Sequence, residues 1–244
     1  MDTSSLAKNG SYLNIAIDGP AGSGKSTIAS ALADTLGIAH LDTGAMYRSV
    51  AWLADTKGIP LDNGKDLALL ISENAPEVVV SSSGTRVLFD GSDITEQLYT
   101  AEIGQGASIV GVHPEVRSEL VAWQQQYAAE NHTVLDGRDI GTVVLPEATL
   151  KIFLTASPRV RAQRRFLELQ EKGMAAEHTV DSIEKEITIR DERDSTRDTG
   201  ALKQAEDAIL IDSSSLTVAE VLKQVMDVLV SLGYGSGGDI HDAI

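Results

Sequence analysis

Eight residues near the start of the chain, Gly19-Pro-Ala-Gly-Ser-Gly-Lys-Ser26, constrain its fold more than any other stretch, because they fit the spacing G-x-x-x-x-G-K-[ST]. Gly22 and Gly24 let the backbone curl until successive N–H groups face one concavity, which suits phosphate oxygens. Lys25 has the reach for the β- and γ-phosphates, and the Ser26 hydroxyl suits Mg²⁺. The flanks supply the context such a loop requires. Asn14-Ile-Ala-Ile-Asp18 reads as a buried parallel strand, and Ile28, Leu32 and Leu36 recur at helical spacing. Strand, glycine loop and helix N-terminus in that order predict a nucleoside triphosphate held by Gly19, Pro20, Ala21, Gly22, Ser23, Gly24, Lys25, Ser26 and Thr27.

The same alternation continues. Strands are expected at Ile15 to Asp18, Ala39 to Leu41, Thr133 to Leu135, Leu150 to Thr155 and Ala208 to Ile211, each followed by helical periodicity or a polar loop. This predicts an α/β chain with a parallel sheet covered by helices on both faces. Val218, Val221, Leu222, Val225, Leu229 and Leu232 trace one apolar stripe on a closing helix, expected to be pure packing. Glu77-Val-Val-Val-Ser81 and Thr85-Arg-Val-Leu-Phe-Asp90 break the pattern as a β-hairpin, so about 70 to 105 reads as an inserted lobe. Residues 1–13 read as a loose leader and 233–244 as a flexible tail, leaving 14–232 as one catalytic domain.

Composition excludes several classes. The chain carries 20 basic and 36 acidic residues in 244, a net charge of −16, which argues against nucleic acid or an acidic membrane as partner. It has no cysteine for a disulfide or thiolate site, and its five scattered histidines form no ligand cluster. No apolar run reaches membrane-spanning length, and the start lacks a secretory pattern; a cytoplasmic monomer is expected. Against this acidity, seven of the eleven arginines fall between Arg159 and Arg197, where they either clamp an anion or lace a helix with surface ion pairs.

Other residues narrow the reaction. Asn63-Gly-Lys65-Asp66 mimics a guanine-reading motif but has a glycine inserted and follows a polar turn, so a GTPase is not expected. Phosphoryl transfer to a phosphate acceptor needs no general base; it needs cations that offset repulsion between two phosphates. Arg190, Asp194 and Arg197 lie at i, i+4 and i+7, one face if the stretch is helical. Arg48 follows Asp42-Thr-Gly-Ala-Met-Tyr47, where Thr43 is a candidate helix cap at a strand's carboxyl end. Asp136 ends the run Thr133-Val-Leu135 and can face Mg²⁺, with Arg138 and Asp139 beyond it.

At this point the chain resembles the bacterial cytidylate kinases, short nucleoside-monophosphate kinases with a hairpin insert. The resemblance is carried by Ile17-Asp-Gly-Pro-Ala-Gly-Ser-Gly-Lys-Ser-Thr27, Leu41-Asp-Thr-Gly-Ala-Met-Tyr-Arg48, Asp136-Gly-Arg-Asp-Ile-Gly-Thr-Val-Val144, and Lys151-Ile-Phe-Leu154 through Gln170-Glu-Lys-Gly173 to Arg190-Asp-Glu-Arg-Asp194. It implies transfer from Mg·ATP to CMP or dCMP. It further implies that Ser108, Arg117 and Asp139 read cytosine, that Arg190 and Asp194 hold the ribose, and that Arg48, Arg138 and Arg197 grip the acceptor phosphate. Thr43 stands where a serine is common, and Ser26 where glycine also occurs. The region of about 158 to 197 is expected to form a small lid, with Arg161, Arg164 and Arg165 as its weaker candidates. A kinase acting on UMP, or an ATP-binding module without catalysis, stays open on the residues alone.

Overall fold

The computed structural model describes Leu6, residues 11–176 and residues 178–234. β1 (Asn14–Asp18) lies centrally in an eight-stranded sheet, flanked by β6 (Thr133–Gly137) and β7 (Leu150–Thr155), both parallel to it. β2 (Ala39–Asp42) adds to β6 and β8 (Ile209–Asp212) to β7, again in parallel. The hairpin β3 (Glu77–Ser81) and β4 (Gly84–Phe89), with β5 (Ser92–Asp93), extends the sheet antiparallel from β2, giving the order 5-4-3-2-6-1-7-8. The α/β sheet read from the sequence is therefore present, and the expected hairpin joins its edge through one pair, His40 opposite Ser81.

Helices cover both faces. Alternate residues of the strands face opposite layers: Ile15, Ile17 and Val134 pack under α1 (Lys25–Leu36) and α8 (Val218–Ser231). Ala16, Leu41 and Leu135 pack against α2 (Thr43–Lys57), α3 (Gly64–Asn74) and α5 (Pro114–Glu130). Between the hairpin and α5 run a 3₁₀ turn, Thr95–Tyr99, and α4 (Ala101–Val110). Beyond β7, α6 (Pro158–Glu171) and α7 (Val180–Thr196) pack around Ala162, Leu169, Ile183 and Ile187. Among the described residues no helix is long and apolar enough to cross a membrane.

Several local expectations shift. Of the leader, Leu6 and Leu13 are buried in the core, while 1–5 and 7–10, like 235–244 of the tail, lie outside the described residues. The stripe on α8 is buried only at Val221, Leu222, Val225 and Leu229; Val218 and Leu232, at the helix ends, are nearly half exposed. Asp42, and not Thr43, caps α2 by accepting from the Ala45 N–H at 3.1 Å. A carboxylate one residue earlier is the stronger acceptor, and the Thr43 hydroxyl is engaged elsewhere. Asn63 accepts from the N–H groups of Lys65 and Asp66, so the guanine-like motif is the cap of α3.

Candidate active site

A cleft of about 990 Å³ opens at the carboxyl ends of β1, β2 and β6, between the hairpin side of the molecule and the α6–α7 pair. Its floor is the glycine loop joining β1 to α1. Gly22 and Gly24 adopt φ of +75° and +93°, open to glycine at little cost, and Gly24 stands at the N-cap of α1 without a side-chain cap. The helix N-terminus therefore presents unsatisfied N–H groups to the cleft, a ready site for phosphate.

Lys25 is buried and donates to the Pro20 carbonyl at 2.9 Å. Burial, and then the nearby Arg138 charge, push its ammonium down to about 7. The Ser26 hydroxyl donates to Asp136 Oδ2 at 2.7 Å, so the two residues expected to hold Mg²⁺ meet at the end of β6. One hydroxyl and one carboxylate, with phosphate oxygens and water completing the shell, form the hard oxygen set that Mg²⁺ takes. Burial opposes ionisation of Asp136, but the hydrogen bond and charge of His40, the Lys25 charge and the Ser26 hydroxyl together hold the carboxyl below its ordinary value. His40 Nε2 lies 2.7 Å from Asp136 Oδ1, while its Nδ1 is buried with no hydrogen-bond partner.

Across the cleft the charges come from separate elements. Arg117 of α5 pairs with Asp139 and also donates to the Tyr47 hydroxyl at 3.2 Å. Its guanidinium rests on Gly200, where a Cβ would lie 2.1 Å from the Arg117 guanidinium carbon, and that glycine also has φ +61°. Arg138 Nε donates to Asp194 Oδ2 at 2.8 Å, and the Ser108 hydroxyl donates to Asp194 Oδ1 at 3.3 Å. Arg48 Nη1 donates to Asp42 Oδ2 at 3.3 Å. Arg190 and Arg197 each keep a buried Nε without a hydrogen-bond partner. Burial, with Arg138 adding repulsion, lowers Arg190 to about 10. Arg190 and Asp194 share α7 as their spacing predicts, and Arg197 sits just beyond its end.

All eight residues expected on the acceptor side line this one cleft, as do Thr43 and Asp136. Thr43 lines the wall while donating to the Asp136 carbonyl at 2.8 Å, which sets the strand end that carries the carboxylate. The lid arginines divide. Arg161 is spent within the protein on the Ala156 and Ala21 carbonyls and on Asp191, bracing the glycine loop from behind. Arg164 donates to the Ser213 carbonyl at 2.6 Å, and Arg165 pairs with Glu168 at 3.0 Å. Arg159, paired with Asp181 and Glu184, fits the ion-laced helix.

Sequence reasoning missed Asp18, His40, Asp42, Tyr47, Tyr99 and Gly200. Asp18 and Asp42 each end an apolar strand run at the sheet's carboxyl edge, the same signal that marked Asp136, so both were within reach. Asp18 accepts from the Ile140 and Gly141 N–H groups, both at 2.7 Å, and so ties the start of the glycine loop to the turn Ile140–Val144 that follows Arg138 and Asp139.

A family model described as cytidylate kinase matches residues 15–231. A cytidylate kinase of Shouchella clausii (strain KSM-K16) is 46% identical over 216 residues, 88% of this chain and 95% of that protein. One from Caldicellulosiruptor saccharolyticus is 44% identical over 216 residues, again 88% and 95%. One from Desulfitobacterium hafniense (strain Y51) is 43% identical over 226 residues, 91% of this chain and 96% of that protein.

Proposed function

The chain belongs to the cytidylate kinase family, and from that premise we propose that it transfers the γ-phosphoryl group of Mg·ATP to CMP or dCMP, giving ADP with CDP or dCDP. The observation that carries the reading is the pair of buried, unpartnered Nε donors of Arg190 and Arg197 in the same cleft as the glycine loop. Buried donors left unsatisfied are costly, and an anionic ligand bearing hydroxyls and phosphate supplies the missing acceptors.

In this reading the donor phosphates lie on the N–H groups of Gly22 to Ser26, and Lys25 turns from the Pro20 carbonyl to the transferring phosphoryl group. Ser26 and Asp136 would hold Mg²⁺, which, when bound, neutralises charge on the β- and γ-oxygens. The acceptor phosphate is already an anion, so no side chain need remove a proton. Arg48, Arg138 and Arg197 hold it in line and offset its repulsion from ATP. Arg190 and Asp194 take the ribose hydroxyls, while Ser108, Arg117 and Asp139 read the base. A carboxylate accepts from the cytosine amine, whereas uracil offers a carbonyl there and leaves two acceptors opposed.

The hairpin segment of about 70 to 105 serves as the acceptor lobe and α6–α7 as the lid over ATP. We take a monomer in the cytoplasm, where nucleoside monophosphates and ATP are found, as the working unit. The test is ADP release from Mg·ATP with CMP, dCMP, UMP, AMP, GMP, TMP or no acceptor. Release with CMP and dCMP, and little with the others, is expected; hydrolysis indifferent to the acceptor, or a UMP rate matching CMP, would overturn the assignment.

A further inference from the structure

Arg48 is held from two sides within the protein. Its Nη1 reaches Asp42 Oδ2 at 3.3 Å, and its guanidinium carbon stands 4.6 Å from the centre of the Tyr99 ring. The Tyr99 hydroxyl donates to the same Asp42 oxygen at 2.8 Å, closing a triangle of three side chains. Two corners belong to the body of the protein, since Asp42 ends β2 and caps α2 and Arg48 lies on α2. The third comes from the hairpin segment. Tyr99 is the last residue of the 3₁₀ turn, and its neighbour Leu98 is fully buried in a small core that joins Val87 and Ile94 of the same segment to Ala45 of α2.

The placement of the ring is thus set by the packing of the insert against α2, while its face acts on Arg48 and its hydroxyl on Asp42. An arginine left free in a cleft loses rotamer freedom when it closes on a phosphate; an aromatic face and a carboxylate confine it beforehand. Asp42 occupies one of the five guanidinium N–H donors, which leaves others for an anion in the cleft that Arg48 and Tyr99 both line.

We propose that Tyr99 is a positioning residue for the acceptor phosphate: it sets Arg48, so that affinity for the phosphate of CMP depends on Tyr99 while affinity for the cytidine part does not. The proposal rests on Arg48 being a phosphate ligand. Tyr99 is 42% exposed, so shortening it leaves the Leu98 core in place.

The experiment compares dissociation constants of CMP and of cytidine, the latter by displacement of CMP, for the wild type, Y99F, Y99L, R48A and the R48A/Y99L double variant. Y99L should weaken CMP about tenfold and leave cytidine within about twofold. Y99F keeps the ring and loses the hydroxyl, and should weaken CMP about threefold. Once Arg48 is gone, Y99L should cost CMP nothing more. Equal weakening of CMP and cytidine in Y99L would reduce Tyr99 to support of the lobe and overturn the proposal, as would an unchanged CMP constant. If R48A itself leaves the ratio of CMP to cytidine affinity unaltered, the assignment of Arg48 falls, a result separate from failure of Y99L alone.

Discussion

The two halves of the cleft are built on different plans. On the donor side one contiguous run supplies the loop, and the side chains around it bond within the protein: Lys25 to the Pro20 carbonyl, Ser26 to Asp136, and Arg161 of α6 to the Ala21 carbonyl. The acceptor side instead gathers charges from α2, α5, α7 and the ends of β2 and β6, paired as Arg48–Asp42, Arg117–Asp139 and Arg138–Asp194. A backbone concavity binds any polyphosphate, so selectivity has to come from these pairs. Damage to the donor half should therefore abolish transfer for every acceptor, whereas damage to the acceptor half should re-sort the acceptors.

Lys25 gives the largest expected effect. K25M keeps similar volume and removes the only lysine in the loop, so kcat/KM for ATP at saturating CMP should fall by about a thousandfold. The loss should be the same with dCMP. A fall of less than about tenfold would mean that the loop's N–H groups and the arginines carry the transferring group without a lysine, and the contrast between the halves would collapse.

Asp18 joins the halves, and its effect is read in stability. Burial pushes its carboxyl up from 3.8 to about 6, although the two N–H bonds from Ile140 and Gly141 favour the ionised form. The folded state then holds the proton more tightly than the unfolded chain does. Its contribution is complete below pH 3.8 and is lost as pH rises through about 6. An interval of about two pH units at about 1.4 kcal/mol each amounts to about 3 kcal/mol. Urea unfolding of wild type and D18N from about pH 3.5 to about pH 7 should show the wild type losing about that much relative to the variant. A constant difference would mean that the folded and unfolded carboxyls titrate alike and that the two N–H bonds offset burial.

What was legible in the sequence follows the same division. The glycine loop and its flanking strand and helix could be read because the loop itself is one contiguous run, although Asp136 and Arg161, which brace it, come from 110 and 140 positions away. Arg190 and Asp194 were legible through helical spacing, and Asp136 through its place at a strand end. The pairings that build the acceptor half are for the most part not local: Tyr99 meets Asp42 across 57 positions, Arg138 meets Asp194 across 56, and Ser108 reaches Asp194 across 86. Nothing in the run around Tyr99 marks it, because its neighbours only anchor it and its partners lie on another element. Thr43 shows the converse, a residue noticed for one local role and used for a distant one. The roles of Ser108 and Arg117 came only through family resemblance, since both sit within helices whose periodicity explains them as packing.

Asp139 gives a smaller effect in free energy than Lys25 or Asp18 and the sharpest test of a reading cleft against a mere cluster of charges. Burial raises its carboxyl above the ordinary value, while the charges of Arg117 and Arg197 pull it back. The carboxylate is thus held where it can accept from an amine in a site that admits little water. D139N can turn its amide to offer either a donor or an acceptor, so it should lower the preference for CMP over UMP by about tenfold to a hundredfold in kcat/KM, with UMP improving in absolute terms. dCMP should follow CMP, because the change lies at the base. Should CMP and UMP decline together, Asp139 would be acting by holding Arg117 in place against Gly200, and discrimination would have to reside in Arg117 and Ser108 instead.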